Sequence, residues 1–238
     1  SGLPTERMMP GTGACALDDS VELTKRAVEL GCGGVLMLPP FYYKGVPEEG
    51  LYRNFSEIIQ RVGDDRLRIY LYHIPPVAQV GIPLGLIERL LKDYPGIVAG
   101  AKDSSGDWSN TKAMIDNFAA QGFDVYPGSE SFLLQAMRAG GAGCISATAN
   151  VNPGPIAKLA ATWQGDDADA QQEGLNVTRG IFQTYVMIPA LKAAIAHYGR
   201  DPEWNRLRPP LVELTADEQK DLVAKLDASG FTMPGLAA

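Results

Sequence analysis

Between residues 8 and 147 the chain alternates short apolar runs, each punctuated by Gly or Pro, with longer stretches whose apolar residues recur at helical spacing. The runs fall at 8–13, 33–38, 67–74, 97–103, 123–128 and 142–147. Between them, residues 18–30, 47–59, 83–91, 109–118 and 131–139 carry an apolar stripe, as in Val21, Leu23, Ala27, Val28 and Leu30 ahead of Gly31. Six strands alternating with helices at this spacing predict right-handed βαβ units and a parallel sheet. In such folds, functional groups gather beyond the carboxyl ends of the strands. The residues that close each run are therefore where chemistry is to be sought.

After Asn152 the spacing is helical throughout, at 155–163, 167–186, 190–198 and 216–228, with Thr215 ahead of Asp217 and Glu218 as a cap and acidic first turn. The expected division is an α/β domain over 1–165 and a C-terminal helical extension over 166–238. With 45% apolar residues among 238, a sizeable core is available. A net charge of −7 without a basic stripe excludes a nucleic-acid or anionic-membrane surface as the expected partner. No apolar run is long enough for a spanning helix and no leader pattern opens the chain, so a cytoplasmic protein acting on a small molecule is expected. Cys15, Cys32 and Cys144 form no CxxC pair and read as reduced packing residues. With His73 and His197 the only histidines, neither a metal centre nor a Ser-His-Asp triad has enough to build from.

Only one strand end offers an amine. Ile97-Val98-Ala99-Gly100-Ala101-Lys102 runs from Tyr94-Pro95-Gly96 into Asp103-Ser104-Ser105-Gly106. Alternation places Val98, Gly100 and Lys102 on one face, with Gly100 leaving room beneath the amine. Apolar surroundings disfavour an ammonium ion and favour the free amine, the form that condenses with a carbonyl to give an imine. On the preceding strand Tyr72 shares parity with Tyr70, so it faces the same interior, where a phenol can relay protons. His73 faces the other way and reads as structural. Lys44, Lys112, Lys158 and Lys192 stand in loop or helical settings and read as solvated. Gly11-Thr12-Gly13 lacks the remaining residues of a dinucleotide fingerprint or a P-loop.

Leu71-Tyr72-His73-Ile74-Pro75, Gly100-Ala101-Lys102-Asp103-Ser104-Ser105-Gly106-Asp107 and Gly143-Cys144-Ile145-Ser146-Ala147-Thr148-Ala149-Asn150, in this order and spacing, resemble the dihydrodipicolinate synthase and N-acetylneuraminate lyase family of class I aldolases. Pro39-Pro40-Phe41-Tyr42-Tyr43 resembles that family's aromatic loop. The resemblance implies a (β/α)8 TIM barrel with C-terminal helices. This chain would carry about six of its βα units, because the family's first two strands and their Gly-x-x-Gly-Glu loop have no counterpart here. It also implies a homotetramer built as a dimer of dimers, with no cofactor beyond a covalent imine formed on pyruvate or another 2-oxo acid. Carried over by position, Lys102 is the imine-forming residue, Tyr72 the proton relay, and Tyr42 the aromatic that reaches across the dimer interface. Ser104, Gly128, Glu130 and Ala147 line the pocket. Pro75-Pro76-Val77-Ala78-Gln79 lacks the arginine that follows the tyrosine in dihydrodipicolinate synthases, which favours a lyase acting on another 2-oxo acid. The alternatives are a dehydratase of deoxy sugar acids and a catalytically silent oligomer that binds a 2-oxo acid.

Overall fold

The computed structural model describes residues 2–236. They fall into two compact units, one running through Gly128 and including Ala139–Gly143, the other formed by Ser129–Arg138 and the chain from Cys144 onward.

The first unit is a parallel sheet with its helices. Helix α1 (Leu17–Glu29) precedes strand β1 (Val35–Met37), α2 (Glu48–Val62) precedes β2 (Ile69–His73), and the single turn α3 (Pro75–Ala78) with α4 (Leu84–Asp93) precedes β3 (Val98–Asp103). Helix α5 (Trp108–Phe118) leads to β4 (Asp124–Pro127). The four strands stand in chain order, β1-β2-β3-β4, all parallel. Sequential order with a helix between each pair follows from the short right-handed crossovers. Ile69, Leu71, Ala101 and Val125 on one sheet face are fully buried, as are Leu86, Ile87 and Leu90 of α4 and Met114 of α5. Burying such side chains contributes roughly 1.5–3 kcal/mol each.

Among the described residues, four of the six expected strands form as ladders. Residues 8–13 make a single parallel bridge, Gly11 to Leu36, supported by Leu36 N–H to Pro10 O (2.9 Å) and Thr12 N–H to Leu36 O (3.1 Å). Pro10 has no N–H to give, which shortens any ladder there. Residues 142–147 form no strand; Ala142 N–H reaches Val125 O (3.0 Å), but Gly143 next to it takes φ 141°, outside the strand region. The Gly-Thr-Gly run has a steric explanation. A Cβ at Gly13 would lie 2.3 Å from Leu38 N, while Thr12 is buried and receives a hydrogen bond from Thr24 Oγ1 (3.0 Å).

The second unit is helical: α6 (Leu133–Ala139), α7 (Pro153–Thr162), α8 (Ala168–Gln183), α9 (Met187–Tyr198) and α10 (Ala216–Ala228). One apolar cluster joins Leu133, Leu134, Ile156, Leu159, Ala168 and Leu175; another joins Phe182, Ala190, Leu191, Ala194, Leu222, Leu226 and Phe231. Thr215 caps α10 in the expected way, as a capping box with Glu218. Helix α1 starts otherwise. Its N-cap is Ala16, Asp18 and Asp19 lie in the first turn, and the buried Ser20 Oγ instead accepts from Ala14 N–H (2.9 Å). No helix of the described residues is long and apolar enough to cross a membrane.

Candidate active site

The carboxyl ends of β2 and β3 bring together the two residues that parity selects. Tyr72 pairs with Lys102 in the parallel register, and Lys102 Nζ donates to the Tyr72 hydroxyl at 3.0 Å. The same amine stands 4.2 Å from the centroid of the Tyr72 ring. Both residues are half-buried. A primary amine in hydrogen-bond contact with a phenol provides a nucleophile and a proton carrier at one point.

Beneath this pair the inner face is aromatic. The Tyr70 ring fills the space expected under the amine: a Cβ at Gly100 would lie 2.7 Å from Tyr70 Cδ1, and one at Gly34 would lie 2.7 Å from Cε2. Two glycines, one ahead of β1 and one in β3, thus admit a single tyrosine between them. Tyr70 donates to Asp124 Oδ2 (3.1 Å), and burial together with that carboxylate pushes its phenol well above the ordinary range. Tyr126, tilted against Tyr70 at 6.0 Å between centroids, is raised for the same reasons, burial first. These two phenols stay protonated. Val98 leaves the expected face. The β2–β3 register slips by one at Ile69/Tyr70, so Val98 pairs with the helix-side Ile69 and Ala99 becomes the extra residue of a bulge.

The opposite parity carries the anchors. His73 is buried, and its Nδ1 accepts from Ile82 N–H (2.9 Å), which fixes the proton on Nε2. Burial lowers its pKa, against an opposing pull from Asp103. Asp103, also buried, accepts from Ser105 N–H (2.9 Å), Asn110 Nδ2 (3.0 Å) and Thr111 Oγ1 (2.6 Å). These bonds tie the loop after β3 to the start of α5. The ladder also continues past the strand ends, with Ser104 N–H to His73 O (2.7 Å) and Gly128 N–H to Asp103 O (2.6 Å). A Cβ at Gly128 would lie 2.0 Å from Ser104 Oγ and 2.9 Å from Ser104 Cα. Ser104 and Gly128, both expected site residues, are therefore in direct contact beside Lys102.

Tyr42 and Tyr43 are 74% and 70% exposed in the loop after β1 and meet edge to face at 5.2 Å. Lys44 is exposed, as expected, yet it also ties two segments together. Its ammonium donates to the carbonyls of Phe41 and Ala78, the latter at 2.8 Å, joining this loop to α3. Lys112 and Lys158 face Asp116 and Asp167, and Lys192 lies 5.5 Å from the Trp204 ring centroid.

Glu130 and Ala147 belong to the second unit. Glu130 is fully buried, and Ser146 Oγ and Thr148 Oγ1 each donate to one of its carboxylate oxygens. Arg179 Nη1 lies 3.4 Å from Oε2 and 3.2 Å from Ser146 Oγ. Gln172 holds the Glu130 backbone carbonyl (2.9 Å). The carboxylate is thus engaged with the segment that carries Ala147. Cys144, beside it, has its thiol pushed up to about 12, chiefly by burial. Cys15, unlike Cys32 and Cys144, is exposed. The partners of Asp103 and Glu130 were not among the expected site residues. Arg179 left a signal, since it follows Leu175 by four and precedes Phe182 by three, a charge on the buried stripe of α8. Among the described residues, no group of three or more His, Cys, Asp or Glu side chains converges as a metal would require.

A lysine amine in contact with a phenol at the carboxyl end of a parallel α/β sheet can support nucleophilic attack on a carbonyl with proton transfer beside it. Residues 7–229 match the dihydrodipicolinate synthetase family. An "uncharacterized DapA-like lyase" of Chloroflexus aurantiacus is 36% identical over 216 residues, covering 89% of this chain and 70% of that protein. The 4-hydroxy-tetrahydrodipicolinate synthase of Thermus thermophilus is 36% identical over 220 residues, covering 90% and 71%. The crystal structure of dihydrodipicolinate synthase from Agrobacterium tumefaciens superposes with a TM-score of 0.86 at 28% identity, over 95% of this chain and 76% of that one. A prophage protein of the dihydrodipicolinic acid synthase family from E. coli K12, solved in complex with pyruvate, shares the fold with a TM-score of 0.84 at 24% identity, over 94% and 76%. The chain belongs to the dihydrodipicolinate synthetase family, of TIM-barrel fold, and is a class I lyase of the aldolase type.

Proposed function

We propose that Lys102 forms the imine, with C2 of pyruvate or another 2-oxo acid, and that Tyr72 moves the protons. The observation that carries this is the 3.0 Å contact between Lys102 Nζ and the Tyr72 hydroxyl on paired strand positions. Attack of the neutral amine on the carbonyl carbon gives a carbinolamine. Tyr72 delivers the proton that lets its oxygen leave as water, which gives the protonated imine. The imine then accepts the electron pair left at C3 when a C3 proton departs or a C3–C4 bond breaks, so no free carbanion forms. The protein supplies a placed amine and a relay, with no metal or further cofactor.

In the same reading, Ser104 and Gly128 border the bound acid, and in the second unit Glu130 holds the segment of Ala147 through Ser146 and Thr148. Glu130 acts there as a positioning residue, because its carboxylate oxygens are already engaged. The exposed Tyr42–Tyr43 pair suits a partner subunit's site, in a homotetramer made of two dimers. Borohydride treatment with pyruvate should add a stable mass on Lys102, found by peptide mass mapping, and should add none to Lys102→Ala. A folded protein that gains no mass would refute the reading. Sedimentation would test the tetramer separately.

A further inference from the structure

Apart from the strand-end site, the second unit has a cleft of about 520 Å³ between α9, α10 and the segment linking them. Its floor is apolar, from the buried Ala193 and Ala196 and the half-buried Val223, with the exposed Pro202 at the rim. Its polar groups are His197, Arg200, Lys220, Asn205 and Gln219, and no carboxylate lines it. Among the described residues neither Arg200 nor Lys220 has an ion-pair partner, in a chain whose net charge is −7. Glu203 is engaged with Arg206, Asp221 with Lys225 and Asp201 as the cap of the turn that follows α9, while Asp217, one turn before Lys220 in α10, does not line the cleft. An apolar floor with a few convergent polar groups is the usual make-up of a small-molecule site, and this volume is within the usual range.

The backbone adds an independent sign. Helix α9 ends in a Schellman arrangement, with Asp201 N–H to Ala196 O (3.1 Å) and Arg200 N–H to His197 O (3.3 Å). That motif needs a left-handed residue, normally glycine, and Arg200 takes the position at φ 52°. Gly199 stands one place too early, at φ −80°. Glycine takes such positions after α2 (Gly63) and α10 (Gly230), and apart from Arg200 the one other non-glycine residue with positive φ among the described residues is Gln79, at φ 54° after the single turn α3. Strain held at a residue that lines a cleft is a mark of a binding role for its side chain.

We propose that this cleft binds a small organic oxyanion, a polycarboxylate or a phosphate monoester, between Arg200 and Lys220. Arg200 grips it through its planar donor fork and Lys220 as a point charge. The site is independent of imine formation at Lys102.

Calorimetric titration of the whole chain with citrate, glycerol 3-phosphate and inorganic phosphate, at matched ionic strength, tests this. One of the organic anions should bind one to one at about millimolar concentration or below, and Lys220→Ala should weaken it about tenfold. Arg200→Gly removes the guanidinium and relieves the backbone. It should raise the thermal midpoint and still lose binding, which a merely structural Arg200 would not do. Absence of binding by both organic anions overturns the proposal. So does binding that survives Arg200→Gly and Lys220→Ala, or binding weakened equally by Lys25→Ala, an exposed lysine in the other unit. Tighter binding of inorganic phosphate than of either organic anion also refutes it, since the apolar floor would then have no part.

Discussion

Gly128→Ala tests how closely the ends of β3 and β4 are fitted beside Lys102. The new methyl would lie 2.0 Å from Ser104 Oγ, 2.8 Å from its Cβ and 2.9 Å from its Cα. The hydroxyl can rotate away, but Cα belongs to the backbone, which Ser104 N–H to His73 O (2.7 Å) holds in place. The strand ends must separate, and that stretches Gly128 N–H to Asp103 O (2.6 Å). Overpacking of this kind costs about 1–3 kcal/mol, and loss of the hydrogen bond adds about 0.5–1.5 kcal/mol. An expected loss of about 2–4 kcal/mol corresponds to a midpoint roughly 5–15 °C lower for a chain of this size. Ser104→Ala in the same background removes the 2.0 Å contact but neither of the other two, so it should restore less than half of the loss. Imine trapping at Lys102 should slow as well, because Ser104 stands two residues from the amine. Urea denaturation of the two variants and the parent measures the first effect, and timed borohydride quenching the second. A Gly128→Ala protein within about 0.5 kcal/mol of the parent, a change typical of surface substitutions, would refute the steric account.

Tyr72→Phe keeps the ring over the amine and removes the relay, so exchange of pyruvate C3 protons into deuterated water, followed by NMR, should slow by about 10²–10⁴-fold. His73 is held neutral by burial, so the unfolded chain binds more protons than the folded one as the pH falls below about 6.5. Stability present at neutral pH should therefore fall through that value until the folded imidazole itself titrates and releases Ile82 N–H. His73→Asn, whose side-chain oxygen can accept the same bond, should flatten that part of the urea midpoint against pH. Thr215→Ala removes one side of the capping box and should cost about 1 kcal/mol in thermal unfolding, most of it recovered by Ser.

The fold class and the Lys102–Tyr72 pair were legible because each rests on a single period. Apolar runs alternating with amphipathic helices imply parallel strands, and a period of two puts Tyr72 and Lys102 inside once their strands are adjacent. What the period does not carry was missed. The bulge at Ala99 depends on the pairing of Val98 with Ile69 and leaves no trace in the order of residues, so alternation alone puts Val98 on the wrong face. Residues 8–13 and 142–147 have strand composition, but composition cannot say whether a ladder forms, and Pro10 and Gly143 limit it locally. The partners of Glu130 lie 16, 18 and 49 residues away, beyond any local pattern. Only the charge of Arg179 on an apolar stripe hinted that a buried counterion awaited it.

The strand ends divide their work by parity. Facing inward, Tyr72 and Lys102 meet across one register pair, and the layer below them is filled by Tyr70 between Gly34 and Gly100. Facing the helices, His73 and Asp103 form the next register pair, and each spends its acceptors on backbone or loop groups: Ile82 N–H for one, Ser105 N–H, Asn110 and Thr111 for the other. A hydrogen-bonded contact is useful chemically only if both partners are held, since misplacement by about 1 Å can cost a hundredfold in rate. The amine and phenol sit on flexible or rotatable side chains, so their precision has to come from the backbone that carries them. The buried acceptors one residue further on fix that backbone. The Asp that follows the lysine and the His that follows the tyrosine are thus the reason a 3.0 Å contact can persist at an open strand end.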